Sequence, residues 1–169
     1  MTNQESYQRI LKLRAMRKFG DRQISDDDLD AILEAARWTG SSKNSQNWKF
    51  VVVQDPEQRA RLATAGSFTG PVTNAPCVIA LVDLSDGYEF DVGRAAQNIM
   101  LAADAIGVGS CPVTLHDGAK AAEVIGIPEG TAVRYAVALG YPQSGRQADR
   151  GFGKGGRKPR AEVVSYDSY

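Results

Sequence analysis

Residues 91–109 read Asp91-Val92-Gly93-Arg94-Ala95-Ala96-Gln97-Asn98-Ile99-Met100-Leu101-Ala102-Ala103-Asp104-Ala105-Ile106-Gly107-Val108-Gly109. Val92, Ala95, Ala96, Ile99, Ala103 and Ile106 recur at helical spacing, and the closing Gly-Val-Gly stops the run. The stretch predicts a long helix opened by Asp91, whose alanines let a second helix approach closely. On both sides of it the pattern is that of strands. Residues 77–84 are an apolar run, and Val133, Tyr135, Val137 and Leu139 alternate with period two until Gly140-Tyr141-Pro142.

Farther out, β-branched residues over 50–54 predict a buried strand, and Asp55-Pro56 starts a helix to about residue 65. A short extended piece over 110–113 precedes a helix capped by Asp117 and ending at Gly126, after which Ile127-Pro128-Glu129-Gly130 turns the chain. Near the N-terminus Tyr7, Ile10, Leu11 and Ala15 predict a helix over 6–16. Ser25 and Asp28 form a capping signal before the stripe Leu29, Ile32, Leu33 and Ala36, so a second helix runs into Trp38 and ends near Gly40. The elements are mixed α and β without an internal repeat. A chain of 169 residues suits one domain, 1–169, with a core that needs no disulfide or metal.

Composition narrows the chemistry. Hydrophobic residues make up 43% and charged residues 24%, which favours a folded globular chain. Acids and bases balance at 20 each, so no whole-protein attraction to nucleic acid or anionic lipid is expected. Basic residues do gather late, at Arg146, Arg150, Lys154, Arg157, Lys158 and Arg160. Cys77 and Cys111 form no CxxC and His116 stands alone, which excludes zinc and iron–sulfur sites of common spacing. Residues 75–82, the longest apolar run, are far short of a bilayer span, and the first nine residues hold no apolar leader. The expectation is a soluble cytoplasmic protein.

A Gly-x-Gly-x-x-Gly after a strand is missing, and the P-loop spacing from Gly140 to Gly145 is followed by Arg146-Gln147 where lysine and a hydroxyl residue belong. There is no Gly-x-Ser-x-Gly elbow. A chain without its own redox centre must borrow one for electron transfer. Three distant segments suit a flat, polar, anionic guest: Arg14-Ala15-Met16-Arg17-Lys18-Phe19, the polar loop 40–48, and Gly153-Lys154-Gly155-Gly156-Arg157-Lys158-Pro159. Arginine forks bind phosphate, amides and hydroxyls serve a heterocycle, and glycines let backbone amides approach an anion. Flavin mononucleotide is the guest they suggest.

The first of these motifs, then Gly40-Ser41-Ser42-Lys43-Asn44-Ser45-Gln46-Asn47-Trp48-Lys49-Phe50, Asn74-Ala75-Pro76, the helix after Asp91, Leu139-Gly140-Tyr141-Pro142 and Gly156-Arg157-Lys158-Pro159 together resemble the nitroreductase family of flavoproteins. The resemblance implies an α+β fold with a central, mostly antiparallel sheet flanked by helices, and an intertwined homodimer with FMN at each end of the interface. It makes the alanine-rich helix the interface helix. It places Arg14 and the backbone around Ala15 at the flavin phosphate and ribityl chain, and Arg17 at the N1/O2 edge of the ring. Ser41, Ser42 and Asn44 would come from the partner subunit. Pro112, Val113, Thr114 and Leu115 would lie along one flavin face and present backbone amides to N5/O4, and Gly156 and Arg157, with Lys158, would clamp the phosphate.

The implied reaction is hydride transfer from NADH or NADPH to flavin N5, then ping-pong reduction of a small acceptor such as a nitroaromatic or quinone. A non-catalytic flavin-binding or sensing protein, or specialised chemistry such as dehalogenation, is the alternative. The chain departs from the usual pattern at Leu13, Ala15, Gly40 and Asn47. The first two remove a cation and a hydroxyl from the phosphate cradle and shift weight to Arg157. The others replace prolines and loosen the loop. Phe68, Tyr88 and Phe90 are candidates for lining the acceptor pocket or for simple packing.

Overall fold

A computed structural model describes residues 3–84, 87–128, 131, 133–143 and 156–168. Its centre is a four-stranded sheet of order β1-β2-β4-β3, formed by β1 (Trp48–Val53), β2 (Cys77–Asp83), β3 (Gly109–Thr114) and β4 (Tyr135–Gly140). All three pairings are antiparallel, with Phe50 opposite Leu81, Ile79 opposite Val137 and Pro112 opposite Val137 on its other side. The helices are α1 (Asn3–Lys12), α2 (Asp26–Arg37), α3 (Pro56–Ala63), α4 (Gly70–Asn74), α5 (Glu89–Ala105) and α6 (Gly118–Val124).

The helix signals act as expected from their chemistry. The Ser25 hydroxyl accepts from the Asp28 N–H at 3.3 Å, Asp55 caps α3 through the Gln58 N–H at 2.7 Å, and Asp117 caps α6 through the Lys120 N–H at 3.0 Å. Two helix boundaries and one added helix stand out against expectation. α1 stops at Lys12, so Arg14–Phe19 follows the helix rather than ending it; α5 begins at Glu89, two residues before Asp91; and the short α4 appears where no periodicity announced it. α4 has only five residues, too few to register a period of 3.6.

β2 and β4 are buried on both faces, which accounts for the unbroken apolar run in β2. In β4 the alternation separates large from small residues. Val137 and Leu139 join the core under α2 and α5, while Ala136 and Ala138 face the core under α3, α4 and α6. On the second face the 16–19 segment crosses the end of the sheet. The Met16 N–H donates to the Ser110 carbonyl at 2.7 Å, Phe19 bridges to Pro142, and the Gly20 N–H donates to the Tyr141 carbonyl at 2.9 Å. This crossing needs Gly140, because a Cβ there would stand 2.7 Å from Pro76 Cδ and 2.8 Å from Phe19 Cβ.

At the opposite end of β2, Asp83 buries one carboxylate oxygen without a hydrogen-bond partner. Burial first, then the negative charges of Glu89 and Asp91, raise its pKa above the ordinary aspartate value. An acid whose pKa rises on folding weakens the fold while ionised, and that penalty disappears as pH falls through the raised pKa.

Two stability measurements follow from this packing. Gly140→Ala overpacks the crossing and lowers unfolding free energy by about 1–3 kcal/mol in urea titration. Asp83→Asn raises the melting temperature at pH 7, and the gain shrinks as the pH is lowered into the acid range where Asp83 itself becomes protonated.

Candidate functional site

β3 is an edge strand, and its hydrogen-bonding phase determines what it offers. The Leu115 N–H donates to the Arg134 carbonyl at 2.7 Å, so the backbone groups of Leu115, Val113 and Cys111 point toward β4. Those of Ser110, Pro112 and Thr114 point away from the sheet. The Ser110 carbonyl is taken by Met16 and Pro112 has no N–H, which leaves the Thr114 N–H facing outward from the far half of the strand. The side chains alternate likewise: Cys111, Val113 and Leu115 are buried, Pro112 and Thr114 exposed.

Pro112 and Thr114 form one wall of a cleft of about 480 Å³, and Phe90, Gly93 and Ala96 of α5 form the other. Gly93 has no atom within 4 Å of the place where a Cβ would sit, so the cleft is open above it. One end is closed by the Tyr135 hydroxyl donating to Glu89 Oε1 at 2.5 Å. A mostly apolar cleft of this size with few polar groups on its wall is the ordinary form of a small-molecule site. Phe90, expected in a connecting segment, belongs to α5 and lines the cleft; Phe68 is 83% exposed in a loop away from it.

The basic segment approaches the same strand from its beginning. Arg17 is exposed, and its charge reaches the Cys111 thiol, whose pKa burial raises and Arg17 partly lowers. Ala15 is half-buried beside it. Arg14 is turned back on its own helix, where Nη1 donates to the Leu11 carbonyl at 2.8 Å and the Leu13 carbonyl at 2.6 Å. It therefore caps the negative end of α1.

The polar loop lies elsewhere. It precedes β1, at the opposite edge of the sheet from β3, three strand spacings or about 14 Å away. Asp91, 5% exposed, fastens it: the carboxylate accepts the Ser42 N–H at 3.2 Å and pairs with Arg94 at 3.2 Å. Asn98 adds a bond to the Thr39 hydroxyl at 2.8 Å, and the Ser41 hydroxyl accepts the Gln46 N–H at 2.9 Å. Lys43, Asn44 and Gln46 all adopt positive φ, near 52–55°, which L-residues seldom do. Ser42 and Asn44 are exposed and Ser41 half-buried. Trp48, 9% exposed, packs against Phe50 at 6.4 Å and anchors the loop's end in the core.

α5 thus has two working faces, with Asp91, Arg94 and Asn98 holding the loop and Phe90, Gly93 and Ala96 flooring the cleft. Within one chain the loop residues and 112–115 do not meet. Gly156, at φ +70°, and Arg157 and Lys158 are exposed, and no hydrogen bond or ion pair among the described residues ties Arg157 to the other segments. Gly153, Lys154, Gly155, Arg146 and Arg150 lie outside the described residues. The role of Asp91 as loop anchor was missed in the sequence, where it signalled only a helix start. Its pairing with Arg94 three residues on was the available clue.

Comparison with known proteins identifies the setting. The sequence pattern of the Nitroreductase family matches residues 10–79 and 71–141. A protein of Archaeoglobus fulgidus, provisionally named NADH dehydrogenase/NAD(P)H nitroreductase, is 36% identical over 151 residues, covering 83% of this chain and 87% of its own. Among solved structures, the NADPH:FMN oxidoreductase of Vibrio harveyi complexed with NAD+ superposes with a TM-score of 0.86 at 26% identity, over 97% of this chain and 77% of that one. A provisionally named nitroreductase of Desulfovibrio desulfuricans in complex with FMN superposes at 0.85 with 25% identity, over 99% of both chains. The antiparallel sheet between two helical layers, with its motifs in family order from Arg14 to Pro142, therefore belongs to a member of the nitroreductase family.

Proposed function

We propose that the chain is an FMN-dependent oxidoreductase that draws reducing equivalents from NADH or NADPH and delivers them to a small acceptor such as a nitroaromatic or quinone, in ping-pong turnover. The observation that carries this reading is the outward Thr114 N–H on the wall of the 480 Å³ cleft, with the Arg17 cation at the start of the same strand. The family relatives named for FMN and NAD(P)H chemistry support it.

The donor set fits FMN. When bound, FMN supplies a two-electron carrier that the chain's own side chains lack. Pro112 and Thr114 provide a flat wall for a ring, and the Thr114 N–H donates to an acceptor on its edge. Arg17 supplies a cation where negative charge would accumulate on reduction, and that attraction favours the reduced form. The Ala15 backbone, Gly156 and Arg157 hold the phosphate, and Arg14 joins them by leaving the α1 carbonyls it caps; with Leu13 and Ala15 in place of a cation and a hydroxyl, Arg157 takes a larger share.

Ser41, Ser42 and Asn44 serve the cofactor of a second copy, because α5 and the sheet separate them from their own 112–115 segment. The homodimer also accounts for apolar residues left in water by a single chain: Tyr7, Ile10 and Leu11 on α1, and Val163, Val164 and Tyr166 in the C-terminal segment, where residues 156–168 are exposed throughout. We place the protein in the cytoplasm as one domain. No helix among the described residues is long and apolar enough to cross a membrane.

The deciding experiment is the visible spectrum of FMN-reconstituted protein under argon. Stoichiometric yellow flavin that NADH or NADPH bleaches, and an added quinone restores, is the expected outcome; bound flavin that NAD(P)H never bleaches would favour a binding or sensing protein. Arg17→Ala is expected to weaken FMN binding by about tenfold, the loss of one charge-assisted contact, and to slow reduction of the flavin that remains. Unchanged reduction kinetics in flavin-loaded variant would remove Arg17 from the electronic role. Sedimentation equilibrium should give about twice the 18.2 kDa chain mass.

A further inference from the structure

We propose that the polar cavity between α3 and the 18–23 segment is a second binding site, in which Arg59 and Lys18 take the oxyanion group of a small polar metabolite. It is separate from the flavin reading and does not rest on it. The cavity is about 510 Å³, and Lys18, Asp21, Gln23, Arg59, Asn74 and Gln143 supply its polar walls.

Arg59 is the reason to assign a ligand. It is 7% exposed, yet none of its nitrogens meets a carboxylate among the described residues, and its Nε is buried without any hydrogen-bond partner. Its one bond among the described residues is a long one, Nη1 to the Thr73 carbonyl at 3.4 Å, at the C-terminal end of α4. A guanidinium brings a positive charge and a set of N–H donors, and burial makes both costly to leave unanswered. Leaving such a charge uncompensated is costly, whereas an oxyanion in the cavity would meet the outer Nη edge of the guanidinium with two parallel donors.

The rest of the wall agrees in sign and in size. Lys18 adds a second cation, and among the described residues Asp21 is the one acid lining the cavity; both are exposed. Gln23, Asn74 and Gln143 bring neutral donors and acceptors, and the volume exceeds what a bare inorganic ion fills. The ligand is therefore a polar molecule carrying a phosphate or a carboxylate. Phe19 separates this cavity from the segment around Arg17: Met16 binds at Ser110 on β3, Phe19 bridges to Pro142 beyond β4, and the cavity opens past it beside Pro76 and α3. The simpler role for Arg59, a clamp on the last carbonyls of α4, uses Nη1 alone and leaves Nη2 without a partner among the described residues.

The test titrates inorganic phosphate, and separately acetate, into protein saturated with FMN at constant ionic strength, following the line widths of the 31P and labelled 13C signals. FMN saturation keeps phosphate out of any cofactor cradle, and a chain that takes up no FMN is titrated as purified, since the comparison is between wild type and variants. Saturable broadening by one of the two anions is expected, which also tells phosphate from carboxylate. It should vanish in Arg59→Met and weaken about tenfold in Lys18→Met, the usual loss for one charge-assisted contact. No saturable broadening with either anion, or wild-type affinity in either variant, overturns the proposal. If Arg59→Met does not fold, exposed Lys18→Met decides alone.

Discussion

The pairing of β2 with β4 is the constraint on which the other elements depend. Cys77 faces Leu139 and Leu81 faces Tyr135 across a ladder covered on both faces, so neither strand has a solvent side on which to place polar residues. A sheet of this kind needs a helical layer above and another below. α2 and α5 supply one and α3, α4 and α6 the other, and the two edge strands, β1 and β3, are left to carry what is exposed. Because the backbone groups of an edge strand are unpaired on one side, the same geometry that risks unwanted association also gives β3 a donor for a ligand.

The second consequence concerns α5. A helix packed on the sheet by Val92, Ala95, Ile99 and Ala103 has its two flanks free for other work. One flank fastens the polar loop through Asp91 and Asn98, the other lines the cleft through Phe90, Gly93 and Ala96. The buried Asp91 carboxylate is tolerable because Arg94 and the Ser42 N–H satisfy it; removing either would leave a charge in a place where it is costly. Arg59 stands in contrast, buried with no carboxylate against it among the described residues.

Much of this was legible in the sequence, for physical reasons that can be named. The two-faced burial of β2 shows in its unbroken apolar run, and the caps at Ser25, Asp55 and Asp117 act within four residues, so local pattern suffices. Ser42, Pro112 and Thr114 were picked out through their resemblance to family motifs, yet nothing local to them says that the loop and the strand lie at opposite edges. That is a property of the strand order. The loop-anchoring role of Asp91, beyond its place at the start of the helix, and the burial of Arg59 are not legible in the sequence, because burial of a charge is decided by distant neighbours: Ser42 for the first, the crossing at Phe19 for the second. The alternation in β4 marks a strand, but it separates large from small side chains rather than inside from outside.

The left-handed backbone at Lys43, Asn44 and Gln46 has a further implication for how the sequence can change. Each non-glycine residue held there carries a conformational cost on the order of 1 kcal/mol, and glycine would relieve it. Glycine would also free the loop to wander, so the side chains presented by Ser42 and Asn44 would lose their fixed direction. Selection for thermal robustness and selection for a rigid loop therefore pull these positions in opposite ways. Asparagine at 44, the residue that tolerates this backbone best after glycine, is where the two pressures meet.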